Sequence, residues 1–530
     1  MNQEPEIRTE NPLGYAPLPT LLRRFAVPSI IAMLVSSLYN IVDQFFIGQG
    51  VGYLGNAATN VAYPLTTICL AIALLIGIGS ASRFSLSLGE GNPERAAEAV
   101  GNAIGMMVLF GLAYAVVIQL FLEPLLTAFG ATEDVMPYAV SYTRITGLGM
   151  PLLIITNAMS NLARADGSPK YSMACMLVGA VINTILDPIC IFLLNWGVAG
   201  AAWATVAGQF VSFLMAVRYA RHFHRIQLQK RHFRLRPDTC LQTVSLGLSA
   251  SLNQLAITFV QIVLNNSLTY YGSMSPYGKE IPLAACGIVM KVNAIMLAVI
   301  IGINQGSQPI IGFNYGARQF RRVRDIYRLS ITYNLAVSVT AFLLFQLFPA
   351  QIVGLFGDSG NALYMEFAVK FMRIFLFMAC VNGVQMFSSS FFSAIGKPIR
   401  GAVLSLTRQV IFLVPLLLLL HKVFVQRRHK APTSHGGLDE PIPLQVLIGF
   451  LDGDDAHVDG FSQGAHGRDG LAGGQLSAHD LGLDLGRDLF VDRFAGVAAD
   501  DDFQWTSSPC HSVLIEQVHY EHLETSCQEG

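Results

Sequence analysis

The sequence predicts an all-α polytopic membrane protein of two pseudo-symmetric six-helix lobes, the second of them incomplete. Three observations carry this. Of 530 residues, 52% are hydrophobic and only 13% charged, against roughly 25% charged in a soluble domain. Eleven apolar runs come close to or exceed the ~20 residues that a helix needs to cross a bilayer. Short motifs from the first half recur in the second at a nearly constant spacing. The composition excludes an intrinsically disordered chain and argues against an ordinary cytosolic enzyme.

The runs are centred on residues 25–47, 62–85, 96–122, 139–162, 171–194 and 199–219, then 241–270, 284–312, 329–347, 368–392 and 401–420. Barrel strands would be shorter and would alternate, so helices are expected. This divides the chain into a tail (1–24), a first lobe (25–219), a basic loop (220–238), a second lobe (239–420) and a last segment (421–530). The first two dozen residues are polar and read as no secretory signal. The eight cysteines are scattered without a CxxC spacing and read as small packing residues.

Charge sets the orientation. Alternate connections, starting with the N-terminal tail, carry twenty Lys and Arg, including seven from Arg218 to Arg236 and five from Arg318 to Arg328, whereas the opposite connections carry only Lys279. By the positive-inside rule the N-terminus is cytoplasmic. The net charge of -1 conceals a split: residues 1–420 hold 27 Lys and Arg against 17 Asp and Glu, and 421–530 hold 7 against 18.

The repeat covers six spans. Gly79-Ser80 with Gly89 recurs as Gly306-Ser307 with Gly316, 227 residues on, and Leu120-Phe121 recurs as Leu347-Phe348 at the same shift. The segments beginning at Ala139 and Ala165 recur at Ala368 and Ala394, a shift of 229. An even number of spans per repeat gives both halves the same orientation, as in transporters with a cavity between two parallel lobes.

Just two acids lie well inside apolar runs, Asp43 and Asp187. An ionised group at mid-bilayer costs roughly 2.5–3.5 kcal/mol even on the lenient insertion scale, so such residues face a cavity or a partner. Asn183 and Asp187 are four apart and share a helix face, as do Tyr39, Asn40 and Asp43. Pro188 leaves a backbone carbonyl without its helical donor beside them. One reading is a neutral Asp that merely fixes packing; the other is a carboxylate pair that binds Na⁺ or carries a proton. Two carboxylates in one site cannot both stay cheaply ionised, which suits a proton; neutral oxygens from Asn and Thr would suit Na⁺. The second half offers only Asn265 and Asn266 near the place of Asp43, so the ion chemistry is expected in the first lobe alone. Arg144 and Arg373, at paired positions, read as duplicated structural anchors.

The residues Pro28…Leu38-Tyr39-Asn40-Ile41-Val42-Asp43, Asn183-Thr184-Ile185-Leu186-Asp187-Pro188, Gly197-Val198-Ala199-Gly200-Ala201-Ala202-Trp203-Ala204-Thr205 and Gly302-Ile303-Asn304-Gln305-Gly306-Ser307-Gln308-Pro309…Asn314-Tyr315-Gly316-Ala317 resemble the multidrug and toxic compound extrusion (MATE) family. Within it, bacterial drug-efflux members are the most similar. The resemblance covers about residues 15–420. It implies two six-helix lobes, alternating access, and export of amphipathic or cationic drugs against Na⁺ or H⁺ entry. It also implies an ion site at Asp43, Asn183, Asp187 and Thr205, with Tyr39 and Asn157 as neighbouring polar groups. No other metal or cofactor is expected, nor a nucleic-acid partner. The expected setting is a monomer in membrane lipid, in the bacterial inner membrane.

Two features depart from that pattern. The repeat predicts a twelfth span near residues 426–434, where Gln426-Arg427-Arg428-His429-Lys430 stands instead. Beyond it the chain is rich in Gly, Asp and His, which reads as a shifted reading frame or a disordered extension. A calcium loop at 452–459 is disfavoured, because the turn Gly and the bidentate Glu are missing. A lipid-linked oligosaccharide flippase or an inactive truncated transporter are the rival readings. There is neither a Walker A motif nor a nucleophile constellation, so ATP-driven transport and catalysis are not expected.

Overall fold

The computed structural model describes residues 11–278, 280–355 and 362–406. All regular elements among them are helices: α1 (Leu18–Val51), α2 (Tyr53–Gly89), α3 (Pro93–Leu120), α4 (Met136–Ala165), α5 (Pro169–Pro188), α6 (Gly197–Ala220), α7 (Pro237–Gly272), α8 (Glu280–Gly316), α9 (Phe320–Leu347), α10 (Ala362–Phe375), α11 (Ala379–Ala394) and α12 (Pro398–Leu406), with a few short helical turns between them. Nine helices among the described residues are long and apolar enough to cross a membrane. They overrun the apolar runs: α1, at 34 residues, is about 50 Å long at 1.5 Å per residue, so its ends reach beyond a hydrocarbon core of about 30 Å.

The predicted tenth span is a bent pair. α10 and α11 meet at 43°, where Phe377, Ala379 and Val381 donate to carbonyls three residues back rather than four. The eleventh begins as α12, and the rest of it lies outside the described residues, as do the place expected for a twelfth span and the whole of 421–530.

The repeat is legible in the helix ends. α2 and α8 differ by 227 residues at both ends, as do α3 and α9, whereas α4 with α10–α11 and α5 with α12 fit a shift of 229. The lobes meet where α2 crosses α7 and α8 crosses α1, through glycines. A Cβ on Gly302 would lie 2.6 Å from the Cα of Ile30, and one on Gly247 2.6 Å from the carbonyl carbon of Leu75. Small residues let the backbones approach, which is how helices associate where lipid removes the hydrophobic drive.

These contacts correct one expectation. Gly79 and Gly306, 227 apart, meet Thr243 and Ala26, which are 217 apart. The first helices of the two lobes are therefore related by 217, because α7 runs one turn further than α1 and the α7–α8 connection is longer than the single Gly52 between α1 and α2. The residue at the place of Asp43 is Val260, not Asn265 or Asn266. The second lobe has a valine where the first has its acid.

Each lobe's leading segment is also clasped by the other lobe. Before α1, the turn Pro12–Tyr15 is held by α8 and α9: Asn314 Nδ2 donates to the Leu13 carbonyl at 3.0 Å, and Arg322 Nη2 to Ala16 at 2.9 Å and Leu13 at 3.3 Å. Before α7, the turn Lys230–Phe233 is held by α3: Asn102 Nδ2 donates to the His232 carbonyl at 3.2 Å, and the Arg236 N–H to Asn102 Oδ1 at 2.7 Å. The Gln229 N–H donates to His232 Nδ1, so Nε2 carries the proton and donates to Glu94 at 2.9 Å. Arg322→Gln is expected to lower stability by about 1–3 kcal/mol, the cost of leaving the Ala16 carbonyl and the buried Asn314 Oδ1 without their donor, read as a lower unfolding temperature in detergent.

Arg144 and Arg373 are duplicated anchors, but not through their charges. Gln119 and Gln346 donate to their backbone carbonyls, both at 2.8 Å, while the two side chains are exposed. The anchoring group is a carbonyl that no side-chain reading could single out.

Candidate functional site

Close approach of α5 and α6 builds the polar site in the first lobe. A Cβ on Gly208 would lie 2.5 Å from the Gly179 carbonyl oxygen, so the two backbones touch there. Asn183 is one turn after Gly179 and Thr205 is three residues before Gly208, which puts them side by side. One turn further, Ser212 Oγ donates to the Cys175 carbonyl at 2.8 Å and locks the register.

After Pro188, α5 continues as a five-residue π-helix, Ile189–Leu193; such bulges are frequent at functional sites. α1 packs on this segment through Ile47, which is fully buried with Ile191 and Ala201, and through Phe46, whose ring meets Phe192 edge-on at 6.3 Å. α6 packs on it through Gly200, where a Cβ would meet the Cys190 carbonyl. The π-helix thus continues the packing of α1 beyond Pro188, while the Tyr39–Asp43 face of α1 lies against the Asn183–Asp187 face of α5.

Asn183 Nδ2 donates to Asp187 Oδ1 and to Thr205 Oγ1, both at 3.1 Å. The Asp43 and Asp187 carboxyls face each other within hydrogen-bonding reach, and Tyr39 stands beside both. Asp187 is fully buried and Asn183 nearly so. Asp43 Oδ1, Asp187 Oδ2 and Asn183 Oδ1 are buried acceptors that receive no hydrogen bond, although almost all buried polar atoms in proteins are paired. The cluster is rich in acceptors and poor in donors, and it sits in the membrane half away from the basic connections. Asn183→Leu would keep the volume and leave Asp187 Oδ1 without its donor. A loss of about 1–3 kcal/mol is expected, measurable as a fall in unfolding temperature that Asp187→Asn in the same chain partly reverses.

Five of the six residues singled out in the sequence meet here: Tyr39, Asp43, Asn183, Asp187 and Thr205. Asn157 is not tied into the cluster by a hydrogen bond; its amide donates to Leu153 at 3.0 Å, one turn back in α4, and its backbone carbonyl accepts from Asn161. The structure adds Tyr142 of α4, which lies beside Asp43, Asp187, Tyr39 and Thr205. A signal for it was available. In the repeat, Tyr142 pairs with Phe371, so the hydroxyl occurs only in the lobe that holds the acids.

A further buried acid lies nearer the basic side. Asp166, between α4 and α5, accepts from the Tyr219 hydroxyl at 2.7 Å and from the His224 and Arg225 N–H groups at 2.7 and 3.0 Å. Burial pushes its carboxyl above the ordinary range, and these donors pull it back. It ties the basic connection to the end of α6.

Comparison with known proteins identifies the family. The MatE family model matches residues 28–189 and 248–419, one block in each repeat. The chain belongs to the MatE family. The MatE relatives include the "Probable multidrug resistance protein YoeA" of Bacillus subtilis, 25% identical over 390 residues, 72% of this chain and 82% of that one. "Multidrug export protein MepA" of Staphylococcus aureus is 23% identical over 410 residues, 77% of this chain and 88% of its own length. Among solved MatE structures, the multidrug transporter DinF-BH is 31% identical with a TM-score of 0.71, covering 82% of this chain and 96% of that chain. An outward-facing multidrug resistance MATE transporter shares the fold at a TM-score of 0.72 and 21% identity, covering 85% of this chain and 95% of that one.

Proposed function

We propose that the protein exports small amphipathic or cationic drugs in exchange for Na⁺ or H⁺, by alternating access between its two lobes. The observation that carries this reading is the acceptor-rich cluster inside the membrane: two facing carboxyls, an Asn oxygen and a Thr hydroxyl, with three buried acceptors lacking donors. Such a set suits a cargo that arrives without electrons to donate. A proton would be shared between Asp43 and Asp187, and Na⁺ would be held by those carboxylates with the Asn183 and Thr205 oxygens, hard ligands for a hard cation. Either one neutralises the pair and changes how the Tyr39–Asp43 face of α1 packs on α5. The ion drives transport only through a difference in affinity between the inward- and outward-open states.

In this reading the protein is a transporter and not an enzyme, a monomer in the bacterial inner membrane with its N-terminus in the cytoplasm. A lipid-linked oligosaccharide flippase would need cationic side chains to meet pyrophosphate, and the buried cluster of the first lobe holds acids. The test is efflux of a fluorescent organic cation from proteoliposomes under an imposed Na⁺ or pH gradient. Efflux that follows one gradient and collapses without it is expected. Equal flux with and without gradients would indicate a channel, and no flux under either would indicate an inactive chain.

A further inference from the structure

The basic connection before α7 lies against an open apolar crevice that the ion site does not use. Its volume is about 490 Å³. Leu109 and Phe110 of α3 form one wall, Leu241 and Val244 of α7 the other, and Leu235 of the connection closes one end. Leu109, Phe110, Leu235 and Leu241 are all exposed, so the crevice opens sideways toward lipid.

The connection that runs beside the crevice is cationic. Of three arginines on the segment that crosses α3, two are engaged: Arg231 with Glu94 at 3.0 Å and Arg236 with Glu98 at 2.6 Å. Arg234, between them, is exposed and has no carboxylate partner among the described residues. Arg221, Arg225 and Lys230 add charge on the same connection. Asp238 lines the crevice, but it lies in the first turn of α7, where a negative charge complements the helix dipole. The backbone that presents Arg234 is firmly placed. A Cβ on Gly101 would lie 2.5 Å from the His232 carbonyl carbon, and one on Gly105 2.9 Å from Leu235 Cδ2, so the segment is pressed onto α3 at two successive helical turns.

We propose that this crevice binds an acidic phospholipid of the leaflet on the side of the basic connections, with an acyl chain between α3 and α7 and the phosphate on Arg234. The surplus of Lys and Arg beside a membrane helix selects an anionic headgroup, and the apolar walls select a chain. Alternating Phe233, Arg234 and Leu235, with both apolar side chains exposed, suits a segment lying in the headgroup layer.

The test is native mass spectrometry of the purified full chain titrated separately with phosphatidylglycerol, phosphatidylethanolamine and phosphatidylcholine of identical acyl chains. Phosphatidylglycerol should be retained preferentially, and Arg234→Gln should reduce its retention about fivefold, the loss of one cation–headgroup contact, without changing phosphatidylcholine. Val244→Trp, which fills the crevice, should reduce retention of both. Equal retention of the three lipids, a preference for phosphatidylethanolamine, or phosphatidylglycerol binding unchanged in Arg234→Gln would overturn the proposal. None of these readouts involves ion coupling, so the outcome is independent of Asp43 and Asp187.

Discussion

Asp43→Asn is expected to abolish gradient-driven drug efflux while leaving the protein as stable as before, or more so. The substitution keeps the shape of the side chain and removes only its ability to exchange a charge. A carboxylate at membrane depth costs roughly 2.5–3.5 kcal/mol, and Asp43 Oδ1 is a buried acceptor without a donor, so its neutral isostere relieves a penalty. An Asn amide can also donate to Asp187, which faces it. The measurements are the initial efflux rate in proteoliposomes, which should fall to that of protein-free vesicles, and the unfolding temperature in detergent, which should hold or rise. Unimpaired efflux would remove Asp43 from the coupling site. Lost efflux with lost stability would point to a packing role instead.

Gly79→Ala and Gly287→Ala should have opposite effects, although both add one methyl group to a long membrane helix. At Gly79 the new Cβ would lie 2.9 Å from the carbonyl carbon of Thr243 and 3.0 Å from the nitrogen of Gly247. These are backbone atoms of α7 and cannot rotate aside, so α2 and α7 must separate. Overpacking of this kind costs typically about 1–3 kcal/mol. At Gly287 nothing lies within 4 Å, and replacing a helical Gly by Ala gains about 0.8–1.0 kcal/mol. The unfolding temperature should fall for Gly79→Ala and rise slightly for Gly287→Ala. A neutral Gly79→Ala would mean that the lobes are not held by this contact.

Much of the fold is legible in the amino-acid sequence. Span number and lobe duplication follow from the solvent: a bilayer demands long apolar helices with internally paired backbones, and that demand is written into composition and run length. The acids are legible for the same reason, since a carboxylate inside an apolar run is too costly to be incidental. Asn183 and Asp187 can be placed together because four residues make one helical turn. Thr205 enters through family resemblance, and Tyr142 escapes notice because a tyrosine in an apolar run has a bland explanation in packing.

The sequence by itself determined that this is a duplicated helical membrane protein with an acid pair in its first half. Tertiary structure alone decided which residues meet. The place of Asp43 belongs to Val260 because the two first helices are related by 217 residues rather than 227, a register set where glycine backbones touch across the lobes. Asp43 reaches Asp187 because α1 packs along α5 and on the π-helix after it, and Arg144 anchors through its carbonyl rather than its charge. Apolar runs and charges are properties of a segment and survive being read in one dimension. Register, crossing and backbone contact are relations between segments, and they exist only once the helices pack.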